Sequence, residues 1–426
     1  MTQAANVPEK SATILAGTSS FEPPRHGKPG SAPTGREAAI LFALAALQFV
    51  AIVDFMIVMP LGPQLLDDLA IDARRFSWVV SAYTLTAGLA GFLAAPWLDR
   101  VPRRPVYLFL SIGMLVGTVA CGLATSFPLL LAARAVTGGF GGVHGGLALA
   151  IVADVFPPER RGRATGTLML AFAVASVVGV PLGLTLGTRM GWQAPFFALA
   201  ALGLPLVGLA AWALPPLASH VDGARRHPFA RLLDTLTAPA HVRGFALIAM
   251  LMVGAFSVIP FISTSLVANV GVTQTQLPAV FITGGLLTLL TTPLIGRLVD
   301  RFGALSVFRG VVPMSAGMML VMTHLPAVGI LGAAPVTAVL MATNSGRMVT
   351  AMSLITNSIE PRFRGGFMSV NSSVQHVASG LGTTCSGLIL DGGAGEPLRH
   401  YGLVGILAAA TTLASLWLAA RIRPVA

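Results

Sequence analysis

Charge is what this sequence has least of. Only 10% of its 426 residues are Asp, Glu, Lys or Arg, and 54% are hydrophobic, whereas ordinary soluble domains carry roughly 25% charged residues. So few charges cannot keep a folded surface in water, so most of the surface must face lipid. Lysine is nearly absent, with Lys10 and Lys28 the only two. No Gly-x-x-x-x-Gly-Lys-Ser/Thr occurs, so the chain has no phosphate-binding loop with which to use ATP itself. The two cysteines, Cys121 and Cys385, sit in separate apolar runs. Buried thiols behave as small hydrophobes, which argues against a disulfide or a metal site. No nucleophile–base set or metal-ligand cluster is visible either, so neither an enzyme nor a cofactor is expected. The excess of 27 Lys and Arg over 16 Asp and Glu suggests nucleic acid, but the placement of those bases argues against it.

The few charges that do occur form a pattern that repeats. Asp99-Arg100 is followed 60 residues later by Glu159-Arg160-Arg161-Gly162-Arg163, and Asp300-Arg301 is followed 60 residues later by Glu360-Pro361-Arg362-Phe363-Arg364. The two sets lie 201 residues apart. The chain therefore reads as two homologous halves, each a set of membrane helices. Duplicated bundles are how secondary transporters build a central site that opens alternately to either side.

A bilayer-crossing helix needs about 20 mostly apolar residues. Twelve such runs are expected, at 38–62, 77–98, 105–125, 128–153, 165–187, 193–214, 243–268, 277–299, 305–323, 328–354, 365–389 and 400–420. The expected fold class is an all-α membrane protein with twelve transmembrane helices in two pseudo-symmetric six-helix bundles. Residues 1–37 read as a disordered cytoplasmic tail, 38–214 as the N-terminal bundle, and 243–421 as the C-terminal bundle. Between them, residues 215–242 read as a cytoplasmic linker in which Phe229, Leu232, Leu233 and Leu236 recur at helical spacing. That stripe fits an amphipathic helix on the membrane surface, or a plain solvated linker. With the N-terminus inside, 21 of the 27 Lys and Arg fall on the cytoplasmic side and four (Arg74, Arg75, Arg189, Arg399) outside. The positive charge is a topology signal that places both termini in the cytoplasm.

Gly91-x-Leu93-Ala94-Ala95-Pro96-x-Leu98-Asp99-Arg100-x-x-Arg103-Arg104 resembles the cytoplasmic loop signature of the major facilitator superfamily. Its second copy is Gly296-Arg297-Leu298-Val299-Asp300-Arg301-Phe302-Gly303. Arg134-x-x-x-Gly138 resembles that superfamily's arginine motif, and Gly179-Val180-Pro181-Leu182-Gly183 its glycine-proline motif, which is associated with antiporters. Asp54 with Pro60 resembles the acidic motif of proton-coupled drug exporters. Three positions depart from the pattern: Pro102 stands for the usual Gly, Thr137 for the usual Gln, and Val180 splits the Gly-Pro pair. The resemblance implies a twelve-helix drug–proton antiporter or arabinose-efflux permease in the cytoplasmic (inner) membrane. It also implies a proton gradient as energy source, and a monomer whose partners are a small-molecule substrate and the bilayer, with no nucleic acid.

Asp54 is the only acidic residue well inside an expected span. Such residues are costly in the membrane and rare without a purpose. Span one carries it roughly 24 Å from the inner edge, and Arg134 lies roughly 9 Å from the outer end of span four, at a rise of 1.5 Å per residue. The two are thus expected at similar depth, facing one cavity and coupled. A carboxylate held between desolvation and a nearby cation can load and release a proton as its surroundings change. The same pair could instead be a structural anchor.

Asp99, Arg100, Arg103, Arg104, Asp154, Asp300 and Arg301 lie at cytoplasmic span ends. By resemblance they form charge pairs that close the inner side; the alternative is that they set topology only. Gly179, Pro181 and Gly183 read as a bend, and the glycines from Gly138 to Gly146 as a packing face. Arg347, with Asn344, Asn371 and Gln375 nearby in sequence, forms the most polar stretch of the second half; it is expected either at the substrate cavity, holding an anionic or hydrogen-bonding group, or paired with backbone carbonyls near the inner edge. His144 is expected at the cavity too; His144 and His376 read either as groups that titrate near neutral pH or as packing and hydrogen-bonding residues. The favoured function is proton-coupled efflux of a small organic molecule by alternating access. Two others remain open: proton-coupled uptake of a sugar or organic anion, and a membrane sensor that moves nothing.

Overall fold

The computed structural model describes residues 35–98, 100–217, 233, 235–360 and 363–422. Asp99, Arg362, most of the expected tail, and Phe229 and Leu232 of the expected linker helix lie outside the described residues. The described residues form helices joined by turns and loops, with one isolated antiparallel bridge, Asp391 with Arg399. In the first half the helices are α1 (Gly35–Ile57), α2 (Gly62–Asp68), α3 (Ala73–Leu98), α4 (Arg103–Leu123), α5 (Phe127–Val155), α6 (Pro158–Val174), α7 (Val180–Met190) and α8 (Ala194–Ala213). In the second they are α9 (Pro239–Val258), α10 (Ile262–Ala268), α11 (Leu277–Phe302), α12 (Ala304–Thr323), α13 (Gly329–Asn357), α14 (Arg364–Ile389) and α15 (Tyr401–Ala419). We call the side on which α1 begins the near face and the opposite side the far face.

Ten helical segments are long and apolar enough to cross a membrane, so the chain is a multi-pass membrane protein. The two expected spans outside that set are α13 and α14, with 29 and 26 residues. They have the length, but α13 carries Asn344 and Arg347, and α14 carries Asn371, Gln375 and His376. The 201-residue repeat persists in the helices: α4 begins at Arg103 and α12 at Ala304.

Proline explains where the expected spans break. Run 38–62 is not one helix, since α1 stops at Ile57 and α2 starts after Pro60. In the second half a single 3-10 turn, Ile259–Phe261, holds Pro260 between α9 and α10. A proline ring lacks the N–H and clashes with the carbonyl four residues back, so the helix cannot run through it unchanged. The expected bend behaves similarly: a π-turn, Ala175–Gly179, sits just before Pro181 and joins α6 to α7. The wider turn accommodates the missing donor without ending the rod.

Glycine sets which helices touch. Across the two halves α14 lies antiparallel to α3. Gly88 of α3 faces Val377, and Gly380 of α14 faces Leu85, so that any Cβ there would collide. Toward the far end Gly387 abuts Ser77. The apolar core is shared unequally. One cluster runs through the first half and continues into Val258, Phe261, Leu266 and Val280 at the far end of the second. The near end of the second half keeps its own cluster, including Phe245, Ile248, Phe308 and Phe367. The halves are thus fused at the far face, where Ala73 N–H donates to the Gly392 carbonyl at 3.0 Å. There also Gln274 Nε2 reaches Asp67 Oδ2 at 3.5 Å.

Candidate functional site

Asp54 lies one turn before the end of α1, and three other helices converge on it. Arg134 of α5 donates from Nη1 to Asp54 Oδ2 at 3.0 Å and to the Asp54 backbone carbonyl at 3.1 Å. Thr118 of α4 donates to Oδ1 at 2.9 Å. Tyr83 of α3 lays its ring under the guanidinium, 4.4 Å from centroid to Cζ. Asp54 is 0% and Arg134 1% exposed. The two residues expected to be coupled are therefore in direct contact, but they are sealed inside the first half and do not line an open cavity. The reason is packing. Gly138 and Gly142 of α5 meet the backbone of Tyr83 and Ala87 so closely that no side chain fits. This draws α5 onto α3 and turns Arg134 inward. The π-turn rod closes another side, since a Cβ at Gly179 would strike Val53, the residue before Asp54, and one at Gly183 would strike Ile57, three residues after it. In a buried ion pair of this kind the loss of either charge strands the other, and the bonding is incomplete here, since Arg134 Nε has no hydrogen-bond partner among the described residues.

Tyr83 also joins this pair to the contact between the halves. Its ring lies 5.2 Å from Phe55, the residue after Asp54. Phe55 stacks on Phe256 at 6.0 Å and 28°, and meets His376 edge-on at 6.2 Å and 85°. Phe55 and Phe256 are themselves 201 residues apart. The repeat therefore meets its own copy here, and Phe55, Phe256 and His376 are all only partly buried.

The residues expected on the substrate cavity are scattered. His144 is turned into the first half, fully buried, with Nε2 3.1 Å from Ser111 Oγ and its ring 4.5 Å from Tyr107. Arg347 is turned into the second half and is 1% exposed. Its Nε and Nη2 donate to Asn344 Oδ1 at 3.0 and 2.6 Å, its Nη1 to Thr412 at 2.9 Å, and its Nη2 to the Leu251 carbonyl at 3.3 Å. Asn371 is buried beside Met352, with Nδ2 3.8 Å from the sulfur. Gln375 is half-buried one residue before His376. Burying a charge or amide without partners is costly, and Arg347 and Asn344 find theirs within the helix bundle.

At the near face Arg103 pairs with Asp154 at 2.9 Å and donates to the Ala150 carbonyl at 2.6 Å. Arg104 donates to the Ala211 carbonyl at 2.6 Å. These bonds tie α4 to α5 and α8 within one half. Glu37 and Arg160 form a two-pronged pair at 3.0 Å that ties α1 to α6, which the sequence reading missed. Arg100, Asp300 and Arg301 are exposed, with Arg301 resting over the Phe302 ring at 5.2 Å. Thr118, Tyr83 and the Phe55–Phe256 stack were also missed. Only the stack had a signal in the sequence, its 201-residue offset.

The family model described as Major Facilitator Superfamily matches residues 44–382. The MFS-type transporter YceJ of Bacillus subtilis is 24% identical over 84% of this chain and 90% of its own length. Multidrug resistance protein 3 of the same organism is 32% identical, over 30% of this chain and 25% of its own length. Among solved structures, a bacterial homolog of the human lysosomal transporter Spinster, inward-facing and occupied, aligns with a TM-score of 0.68 at 17% identity. It covers 92% of this chain and 98% of that one. The human organic anion transporter MFSD10 aligns with a TM-score of 0.64, also at 17% identity, over 91% of this chain and all of its own. At such identities the structures speak for the fold alone.

Proposed function

This chain belongs to the major facilitator superfamily of transporters, and from that premise we propose that it exports a small organic molecule in exchange for protons. The observation that carries this reading is the Asp54–Arg134 pair, bonded at 3.0 Å and shut off from solvent. Among the described residues of the first half, Asp54 is the carboxylate with no exposure at all, and an acid so placed in a membrane is suited to carry a proton. Its neighbour Phe55 touches the opposite half, so a change at Asp54 reaches the surface along which the halves move. The partial likeness to multidrug resistance protein 3 also favours export over uptake. In this reading the near face is cytoplasmic, as the positive-inside count expects. Arg103, Arg104 and Asp154 then brace the inner end of the first half, and Gly179, Pro181 and Gly183 give α6 and α7 the bend that yields as the halves rock.

The test is Asp54→Asn, which keeps one oxygen to accept from Arg134, presents an amide N–H that the Thr118 hydroxyl can accept, and carries no titratable proton. In an efflux-deficient host screened with a broad compound panel, the native chain should lower accumulation of its substrates. The variant should reach the membrane in normal amount and fail to drive transport from a pH gradient. Coupled flux at the native rate in Asp54→Asn would refute the proton-carrier role.

A further inference from the structure

Where Phe55 meets Phe256, the surface between the halves is lined by rings. Within the membrane-spanning parts of the described residues, the fully buried formal charges are Asp54, Arg134 and Arg347, and all three are engaged elsewhere. Asp54 and Arg134 hold each other inside the first half. Arg347 directs its guanidinium to Asn344, Thr412 and Leu251 inside the second. What remains at the point where the repeat meets itself is Phe55 on Phe256, with Tyr83 and His376 against Phe55. Phe55 and Phe256 are partly open, while Asp54 and Ala255 beside them in sequence are 0% and 1% exposed.

We propose that the Phe55–Phe256 contact is the substrate-recognition site, and that it takes ring-bearing solutes that carry no anionic group. The inference rests on the transport reading above and narrows its substrate. Two residues related by the repeat sit beside the axis that relates the halves. Each belongs to a different half, so they separate or close when the halves rock. A solute ring that joins the stack is held by offset or edge-on contact. Its release then follows from the motion that parts the two phenylalanines. An anion gains nothing here. The faces of aromatic rings are negative, the buried arginines are bonded elsewhere, the basic side chain that touches the stack, His376, meets Phe55 edge-on, and an unpaired anion in such surroundings bears the full desolvation penalty. An organic anion that sought Arg134 or Arg347 would find both guanidinium groups already bonded within their own halves.

A pair of probes with one ring skeleton separates the outcomes: N-phenyl-1-naphthylamine, uncharged, and 8-anilinonaphthalene-1-sulfonate, its anionic relative. Binding is followed by fluorescence with the full chain in lipid nanodiscs, using empty nanodiscs to subtract partition into lipid. The neutral probe should bind saturably, and the sulfonate at least about tenfold more weakly, given an uncompensated buried charge. Phe256→Leu keeps apolar bulk and removes the ring, so it should weaken the neutral probe several-fold while the protein stays monodisperse; Phe55→Leu is the second variant. Equal binding of both probes, no saturable binding of either, or neutral-probe binding unchanged in both variants overturns the proposal. If binding follows expectation but no pH gradient drives flux of the neutral probe, the export reading fails and the recognition site stands.

Discussion

Replacing Asp54 and Arg134 by apolar residues of similar reach, one at a time and together, tests whether the pair is the internal constraint that its geometry describes. Asp54→Leu leaves a guanidinium that is 1% exposed with the Asp54 backbone carbonyl and the Tyr83 ring as partners. Arg134→Met leaves a fully buried carboxylate with only Thr118. Removing one member of a buried pair costs about 3–5 kcal/mol, because the other charge stays in place. For a unit of roughly 200 residues each kcal/mol moves the melting temperature by about 2–4 °C, so each single variant should melt roughly 6–20 °C lower. The double variant has no stranded charge. Thr118 already has a second acceptor, the Met114 carbonyl at 2.9 Å, so it is not orphaned. Apolar replacement of a whole buried pair is often neutral or stabilising, and the double variant should recover to within about 2 kcal/mol of the native chain. It should also be inert to a pH gradient while remaining folded. Thermal melting of the detergent-purified chain reads the cycle, and additive losses in the double variant would show that the two charges do not depend on each other.

Two further predictions concern glycine contacts. Gly142→Val should cost about 1–3 kcal/mol by overpacking α3 against α5 and lower the yield of monodisperse protein. Gly139→Val, where nothing lies within 4 Å, should leave size-exclusion behaviour and yield unchanged; equal loss in both would remove the close-approach argument. Gly387→Leu should wedge the far face apart at Ser77. A cysteine placed at position 256 in a Cys385→Ser background should then react faster with a membrane-impermeant maleimide added to the far side, and unaltered labelling would count against far-face closure.

Much of this molecule is legible in its sequence. Scarce charge and long apolar runs give the membrane, and the 201-residue offset gives the duplication. The isolated Asp54 and Arg134 stand out because burying them needs a reason, and arithmetic along two helices places them at one depth. The same reasoning could not orient the side chains. For a soluble helix, apolar periodicity separates core from water. In lipid both the core and the surroundings are apolar, so the rotation of a helix about its axis leaves no trace in hydrophobicity. His144 and Arg347 illustrate the loss: the sequence placed His144 at the cavity and left Arg347 between the cavity and backbone carbonyls, and both turn into the interior of their own half. Thr118 and Tyr83 were invisible for the same reason, since nothing in their own stretches of chain marks the face they show.

By itself, then, the sequence determined the number of halves, the approximate lengths of the helices, and which rare polar groups had to find partners. The tertiary structure decided which partners. Gly138 and Gly142 admit a neighbouring backbone, and Gly179 the side chains of Val53 and Phe49, on one side only, and that contact fixes each helix's rotation. The rotation joins Asp54 to Arg134 and leaves Phe55 against Phe256 as the face one half shows the other.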